Sequence, residues 1–239
     1  MERNQVKEQL QQMVDPDWLQ KFKEDYPVTA RQALGVPQSA LLELARTYGR
    51  ANNGREVAEA CAQGDTFEEK FLSVAVLVSA QAGIGEILEA VQAFMPAMDS
   101  VQLCDAACLA LTVAREHPEE VLAFLRPWLE GDDDLGMRFA IVMLLDHFIN
   151  TDYIDAVLVR LLRVRPCGVR SWDAFAWLCS VCYLAYPLKT YVALEQLTVD
   201  EAAFLQIVQR IEASPRLQAK DRMALEALKM NRIPNMTEQ

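Results

Sequence analysis

Between Gly136 and Pro187 the chain reads GMRFAIVMLLDHFINTDYIDAVLVRLLRVRPCGVRSWDAFAWLCSVCYLAYP, and Ile141, Val142, Leu145, Phe148 and Ile149 recur at the spacing that lines one face of a helix. Arg138 stands on the same stripe, three and four residues before Ile141 and Val142. That helix therefore turns a permanent cation toward its packed side and requires an anion there. Further on, Phe175, Trp177, Leu178, Val181, Cys182 and Leu184 make a helix that is apolar nearly all the way round, the pattern of an element covered on both sides. These two helices predict the centre of an all-helical body.

The helical period recurs in pairs of segments separated by Gly, Pro or Asp-rich joints: 67–82 with 84–94, 99–115 with 118–130, 135–149 with 152–163, 168–185 with 188–196, and 199–213 with 217–229. The pair starts differ by 32, 36, 33 and 31 residues, an interval in the range of helical solenoid repeats, and no strand or hairpin signal competes. Residues 2–25 hold two short helices broken at Asp15-Pro16, where Asp15 caps a helix that Pro16 opens. Trp18 and Phe22, four apart, are placed to dock this pair on the first repeat. After Tyr26-Pro27, Pro37 opens a helix that buries Leu41, Leu44 and Ala45. The expected fold is all-α: an α-solenoid of antiparallel helix pairs in one curved domain over residues 1–239, with an N-terminal helical cap at 1–30 and a polar, frayed tail at 231–239. Its concave groove would suit a rod-like partner, and DNA, a helix or another protein all qualify.

Composition narrows this picture. The chain has 239 residues with 52% hydrophobic content, no apolar run long enough for a membrane span, and a polar start, MERNQVKEQL, unlike a secretory signal. A cytoplasmic location is expected. Cys104 with Cys108 and Cys179 with Cys182 sit inside apolar helical pattern and behave as small hydrophobes rather than zinc ligands. Neither a metal nor a cofactor is called for. The net charge of -11 argues against non-specific coating of nucleic acid, but residues 1–135 hold 11 basic against 23 acidic side chains, and residues 136–239 hold 12 against 11. In the second part Arg160, Arg163, Arg165 and Arg170 follow one another with no acid between them. They form either a phosphate-binding patch or the solvated C-terminal end of a helix, where cations are also favoured.

Two further residues are candidates for chemistry. Asp105 falls two turns inside a helix capped by Asp99 or Ser100, with Val101, Cys108 and Leu109 along its side, so it is either paired with an arginine or kept for a task. Trp177 is either a core residue or a flat face for a cationic ligand.

The runs MDSVQLCDAAC, RFAIVMLLDHFI, AWLCSVCYLAYP and IVQRIEASPR, within a stretch of roughly residues 30 to 229, resemble the HEAT-like DNA alkylation-repair glycosylases, the AlkD-like family. The resemblance implies a monofunctional glycosylase of the 3-methyladenine and 7-alkylguanine type, working on double-stranded DNA. Asp105 aligns with the family's site carboxylate, Trp177 with an aromatic against the sugar and lesion, and Arg138 with a backbone-contacting arginine. A partner reading of Arg138 with Asp105 or Asp146 competes with that role.

Departures from the family pattern are equally specific. Its second tryptophan, four residues before the aspartate, is Val101 here, and an asparagine beside it is Ser100. A position that is arginine in active relatives is Ser180, and an aromatic pair reads Val169-Arg170, with Trp172 nearby as a substitute. The family lysine and glutamate positions around IVQRIEASPR hold Gln206 and Ala213, and basic residues after Gly35-Val36 give way to Pro37 and Leu42. Glu68 and Glu69 match a paired-glutamate motif and read as structural acids opening a helix. The expectation is weak, salt-sensitive DNA binding and weak or lost base excision. A non-catalytic binder of damaged or branched DNA, and an interaction solenoid whose acidic first half meets a protein partner, are the alternatives.

Overall fold

The computed structural model describes residues 3–26 and 32–232. All regular structure among the described residues is helical: α1 (Arg3–Gln12), α2 (Pro16–Asp25), α3 (Gln38–Arg50), α4 (Gly54–Ala62), α5 (Phe67–Ser79), α6 (Ile84–Phe94), α7 (Val101–Ala110), α8 (Pro118–Glu130), α9 (Asp134–His147), α10 (Ile154–Leu161), α11 (Val169–Ala185), α12 (Pro187–Gln196), α13 (Glu201–Glu212) and α14 (Ala219–Arg232), with short 3-10 turns at Met95–Ala97 and Thr112–Arg115. The expected all-α class holds. The chain divides into two compact units, one ending at Leu125 and the other beginning at Arg126, a boundary inside α8. The tail expected at 231–239 falls mostly outside the described residues.

In the first unit α5 is the central helix, packed against α3, α4, α6 and α7. Its residues from Phe67 to Leu77 are buried except Lys70, which explains why the sequence there is apolar on nearly every side. Thr66 caps it, accepting from the Glu69 N–H, while the Glu69 carboxylate reaches back to the Thr66 N–H. Both glutamates are fully buried. Glu69 also takes a 2.8 Å bond from Arg3, which ties α1 to the front of α5. Burial pushes the Glu69 carboxyl up, but hydrogen bonds from Arg3 and Thr66 outweigh it and hold the group below its ordinary value. Glu68 does something the dipole argument did not foresee. Its carboxylate accepts from the backbone N–H groups of Leu34, Gly35 and Val36 at 2.9, 2.8 and 3.2 Å, gripping the segment that leads into α3. Gly35 has φ of +106°, and a Cβ there would meet Leu19, so both conformation and space require glycine.

Asp15 caps α2 as expected, accepting from Asp17 and Trp18 N–H groups. Trp18 stacks on Phe22 with centroids 4.7 Å apart, and Phe22 meets Phe67 of α5, so the N-terminal pair docks through its aromatic face. Pro37 stands at the N-cap of α3, which buries Leu41, Leu44 and Ala45.

In the second unit α11 takes the central place, packed against α9, α10, α12 and α13. Phe175 and Tyr183 are fully buried on it, each contributing on the order of 1.5–3 kcal/mol by burial, and the Tyr183 hydroxyl donates to the Asp221 carbonyl of α14 at 2.7 Å. Alternate helices stack in rows: α3, α5 and α7 in the first unit, then α9, α11 and α13 beside α10, α12 and α14 in the second. This is the packing order of a helical solenoid. The observed starts at 67, 101, 134, 169 and 201 lie within two residues of those read from sequence.

Candidate functional site

Asp105 belongs to the first unit. Ser100, rather than Asp99, caps α7 by accepting from the Leu103 N–H, and Asp99 instead pairs with Lys70 at 2.7 Å. This sets Asp105 in the second turn, half-buried, between Val101 one turn before and Leu109 one turn after. Val101 is itself half-buried and Leu109 is 49% exposed, so apolar side chains stand one turn to either side of Asp105. The same unit has a cavity of about 380 Å³ between α4, α5 and α6, lined by Ala58, Leu77, Ala90 and Phe94, with Glu59, Glu86 and Glu89 beside Arg55 and Lys70.

The remaining candidates belong to the second unit. Asp133 caps α9, accepting from the Leu135 N–H at 3.1 Å. Gly168 caps α11. Arg138 and Asp173 are each five residues past those caps, and α9 runs beside α11 in the same direction, so the two side chains meet. Arg138 is 5% exposed, and its Nη1 donates to the Asp173 carboxylate at 3.0 Å and to the Arg170 carbonyl at 3.1 Å. Asp173 is thus one anion that meets the cation on the packed stripe. Asp173 also accepts from Arg210 of α13 at 2.6 Å, so one carboxylate joins three consecutive helices of the row. Burial pushes the Asp173 carboxyl up, but bonds and charge from Arg210 and Arg138 prevail and hold it below its ordinary value.

Beside this triad, Trp172 donates from its indole to Gln206 of α13 at 2.5 Å and lies 5.6 Å from the Phe175 ring. Trp172 and Gln206 line an open depression of about 570 Å³ together with Arg165, Cys167 and Asp200. Trp177 is half-buried on α11, with its carbonyl taken by the Ser180 hydroxyl at 2.8 Å. The serine at the family's arginine position therefore serves its own helix.

The start of α11 is closed by an acid. Asp134 of α9 accepts from the N–H groups of Arg170 and Ser171 at 3.2 and 2.8 Å, and the Ser171 hydroxyl accepts from those of Cys167 and Gly168. Burial pushes the Asp134 carboxyl up, but these bonds outweigh it and keep it below its ordinary value. A helix start that would otherwise attract phosphate is already neutralised. The Cβ of any larger residue at 168 would fall 2.6 Å from the Asp134 oxygens, so this contact needs Gly168.

The arginine run splits into two kinds. Arg160 donates back to the Ala156 carbonyl within α10, and Arg165 to the Leu162 and Val164 carbonyls just past its end. Arg163 and Arg170 are exposed. Five of the six cysteines are buried, with the Cys61 and Cys182 thiols pushed up to about 12 by burial, and only Cys167 is exposed. No group of metal-ligating side chains occurs among the described residues. Among them, too, no helix is long and apolar enough to cross a membrane.

Sequence reading singled out Arg138, with Asp105 or Asp146 as a partner, but not Asp173 or Arg210. The signal for Asp173 was an acid inside an otherwise apolar helix, and for Arg210 a lone cation in the apolar pattern of α13.

An all-helical protein of stacked pairs, with a buried arginine on one row and a half-buried aspartate on another, is the class these features define. The family model of the DNA alkylation repair enzymes matches residues 6–161, more than half of the chain, and the protein belongs to that family. The matched stretch contains Asp105, Arg138 and Arg160 and ends before Arg163, Arg165, Arg170, Trp172 and Trp177. No curated protein and no solved structure gives a significant match.

Proposed function

We propose that the protein is a weak monofunctional DNA glycosylase, hydrolysing the N-glycosidic bond of cationic N3- or N7-alkylpurines in double-stranded DNA. The observation that carries this reading is Asp105, a half-buried acid between Val101 and Leu109 within the family-matched stretch. An alkylated purine already bears positive charge, so it leaves as a neutral base without a general acid. As the bond between the sugar C1′ and the base nitrogen breaks, positive charge moves onto the sugar. A carboxylate in a partly apolar setting stabilises that charge more strongly than one in water, and it also orients the water that adds to C1′ and releases its proton. Trp177 offers a π face to the same cations. Arg163 and Arg170 are exposed cations that could meet the DNA backbone.

Val101 at the second tryptophan position removes an aromatic wall, which costs positioning and hence rate. That substitution also favours a second reading, in which the protein binds damaged or branched DNA without cutting it. Release of methylated purine from alkylated DNA at low salt, measured for the native protein and for Asp105→Asn, separates the two. Slow release that Asp105→Asn abolishes is the expected result. Release that survives Asp105→Asn refutes the assigned role, and duplex binding without any release supports the second reading. Absence of duplex binding at every salt concentration favours a protein partner for the acidic first part.

A further inference from the structure

We propose that the trough between α4 and α6 binds linear aliphatic polyamines, with the alkyl chain along its floor and the ammonium groups on Glu59 and Glu89. The site lies wholly within the first unit and does not rest on the glycosylase reading. Both α4 and α6 pack on α5, and an Arg55–Glu86 ion pair of 2.6 Å joins them at one end. Between these two walls lies the cavity of about 380 Å³, within the size range of small-molecule sites. Its floor is nearly closed: Ala58, Leu77 and Phe94 are at most 7% exposed, and Ser73 is 6% exposed. A helix, about 10 Å across, is too wide to reach so covered a floor, whereas a slender chain can. The Ser73 hydroxyl donates to the Lys70 carbonyl at 2.7 Å, so that floor offers an anion no free donor.

The charges around the opening select a cation. Both basic residues of the lining are already engaged, Arg55 by Glu86 and Lys70 by Asp99 at 2.7 Å. Glu59 and Glu89 are left, both exposed and neither in an ion pair among the described residues. Glu59 is one turn past Arg55 on α4, and Glu89 is one turn past Glu86 on α6. The two carboxylates therefore stand on opposite walls just beyond the Arg55–Glu86 bridge. Ammonium groups there neutralise both acids without breaking either existing pair. Along α6 the wall from Glu86 to Phe94 runs about 12 Å, the reach of an extended chain of several methylenes rather than of a compact ion. A hydrated metal ion gains nothing from the alanines of that wall, while each methylene laid against them leaves water. The acidic excess of residues 1–135 draws cations toward the opening.

Binding is measured on the full chain by isothermal titration calorimetry at low salt, with terminal diamines from diaminobutane to diaminooctane, spermidine and magnesium as probes. One diamine per chain is expected, with affinity rising up to about fourfold for each added methylene, and magnesium, of equal charge, binding roughly tenfold more weakly than diaminooctane. Glu59→Gln and Glu89→Gln should each weaken diaminooctane binding about threefold, and the double variant about tenfold. Glu8→Gln with Glu116→Gln removes two exposed acids elsewhere in the unit and should change it less than about twofold. Ala90→Leu keeps every charge but fills the trough, and about a tenfold loss is expected, with circular dichroism checking the fold. If Ala90→Leu fails to fold, the exposed Ala93 is changed instead, as Ala93→Leu. Affinity that is independent of chain length, magnesium that binds as well as diaminooctane, or a Glu59→Gln, Glu89→Gln double variant that binds like the native protein overturns the proposal. So does a folded space-filling variant with unchanged binding, or a native protein that binds no diamine.

Discussion

Glu68→Gln tests how a buried carboxylate holds the first unit together. The native side chain is fully buried and accepts three backbone N–H bonds, two on Oε1 from Gly35 and Val36 and one on Oε2 from Leu34. Glutamine has the same shape but only one acceptor oxygen. With that oxygen serving Gly35 and Val36, the amide nitrogen faces the Leu34 N–H, and two donors oppose one another. Leaving that N–H unpaired costs about 1–3 kcal/mol, and the two remaining bonds each lose roughly 1 kcal/mol because the acceptor is no longer charged. The neutral amide is cheaper to bury than a carboxylate, which offsets part of the loss. The net expectation is a destabilisation of about 2–4 kcal/mol, a large fraction of the stability of a domain of this size. Urea unfolding followed by circular dichroism measures it through the shift in midpoint. A loss below about 1 kcal/mol would show that the loop at 34–36 is held by its other contacts and that the carboxylate is incidental.

Gly168→Ala is expected to destabilise the second unit by about 1–3 kcal/mol, because its Cβ would meet the Asp134 carboxylate and push it off the start of α11. A thermal midpoint equal to the native one would refute that contact. Glu69, Asp134 and Asp173 are all held below their ordinary values in the folded protein. Their stabilisation is therefore fully present above the unfolded carboxyl range near pH 4–5 and is lost as pH falls through the lower folded values. Thermal midpoints scanned from pH 7 to pH 3 should stay level and then drop below about pH 5, and a rise on acidification would contradict the ion-pair assignments.

Much of this was legible in advance because it depends on local chemistry. Helix starts follow from caps such as Asp15, Thr66 and Asp133, and the repeat interval follows from apolar period, so the pairs were placed closely without any knowledge of contacts. Arg138 was legible as a cation facing inward. Its bond to Asp173 was not, since Asp173 lies one helix along the row and matches Arg138 only when both caps are fixed, at Asp133 and Gly168. A glycine cap carries little sequence signal. Glu68 was read as a helix-opening acid for a related reason: the donors it serves lie more than thirty residues earlier, on a segment with no periodic pattern of its own. The roles proposed for Asp105 and Trp177 rest on the family resemblance and on their half-buried places on α7 and α11.

The count of arginines in the second part of the chain overstates what DNA can use. Arg160 is engaged by a carbonyl within α10 and Arg165 by carbonyls just past its end, while Arg138 and Arg210 are engaged by Asp173. Of the run from Arg160 to Arg170, Arg163, Arg165 and Arg170 are exposed, and of these Arg165 is held by those carbonyls. Two phosphate contacts correspond to a log–log salt slope of about -2, hence roughly a tenfold loss of affinity between 50 and 200 mM salt, far less than the loss for a protein with six to ten contacts. Weak binding is then chiefly a matter of few contacts and of the acidic first part, not of a steep salt dependence.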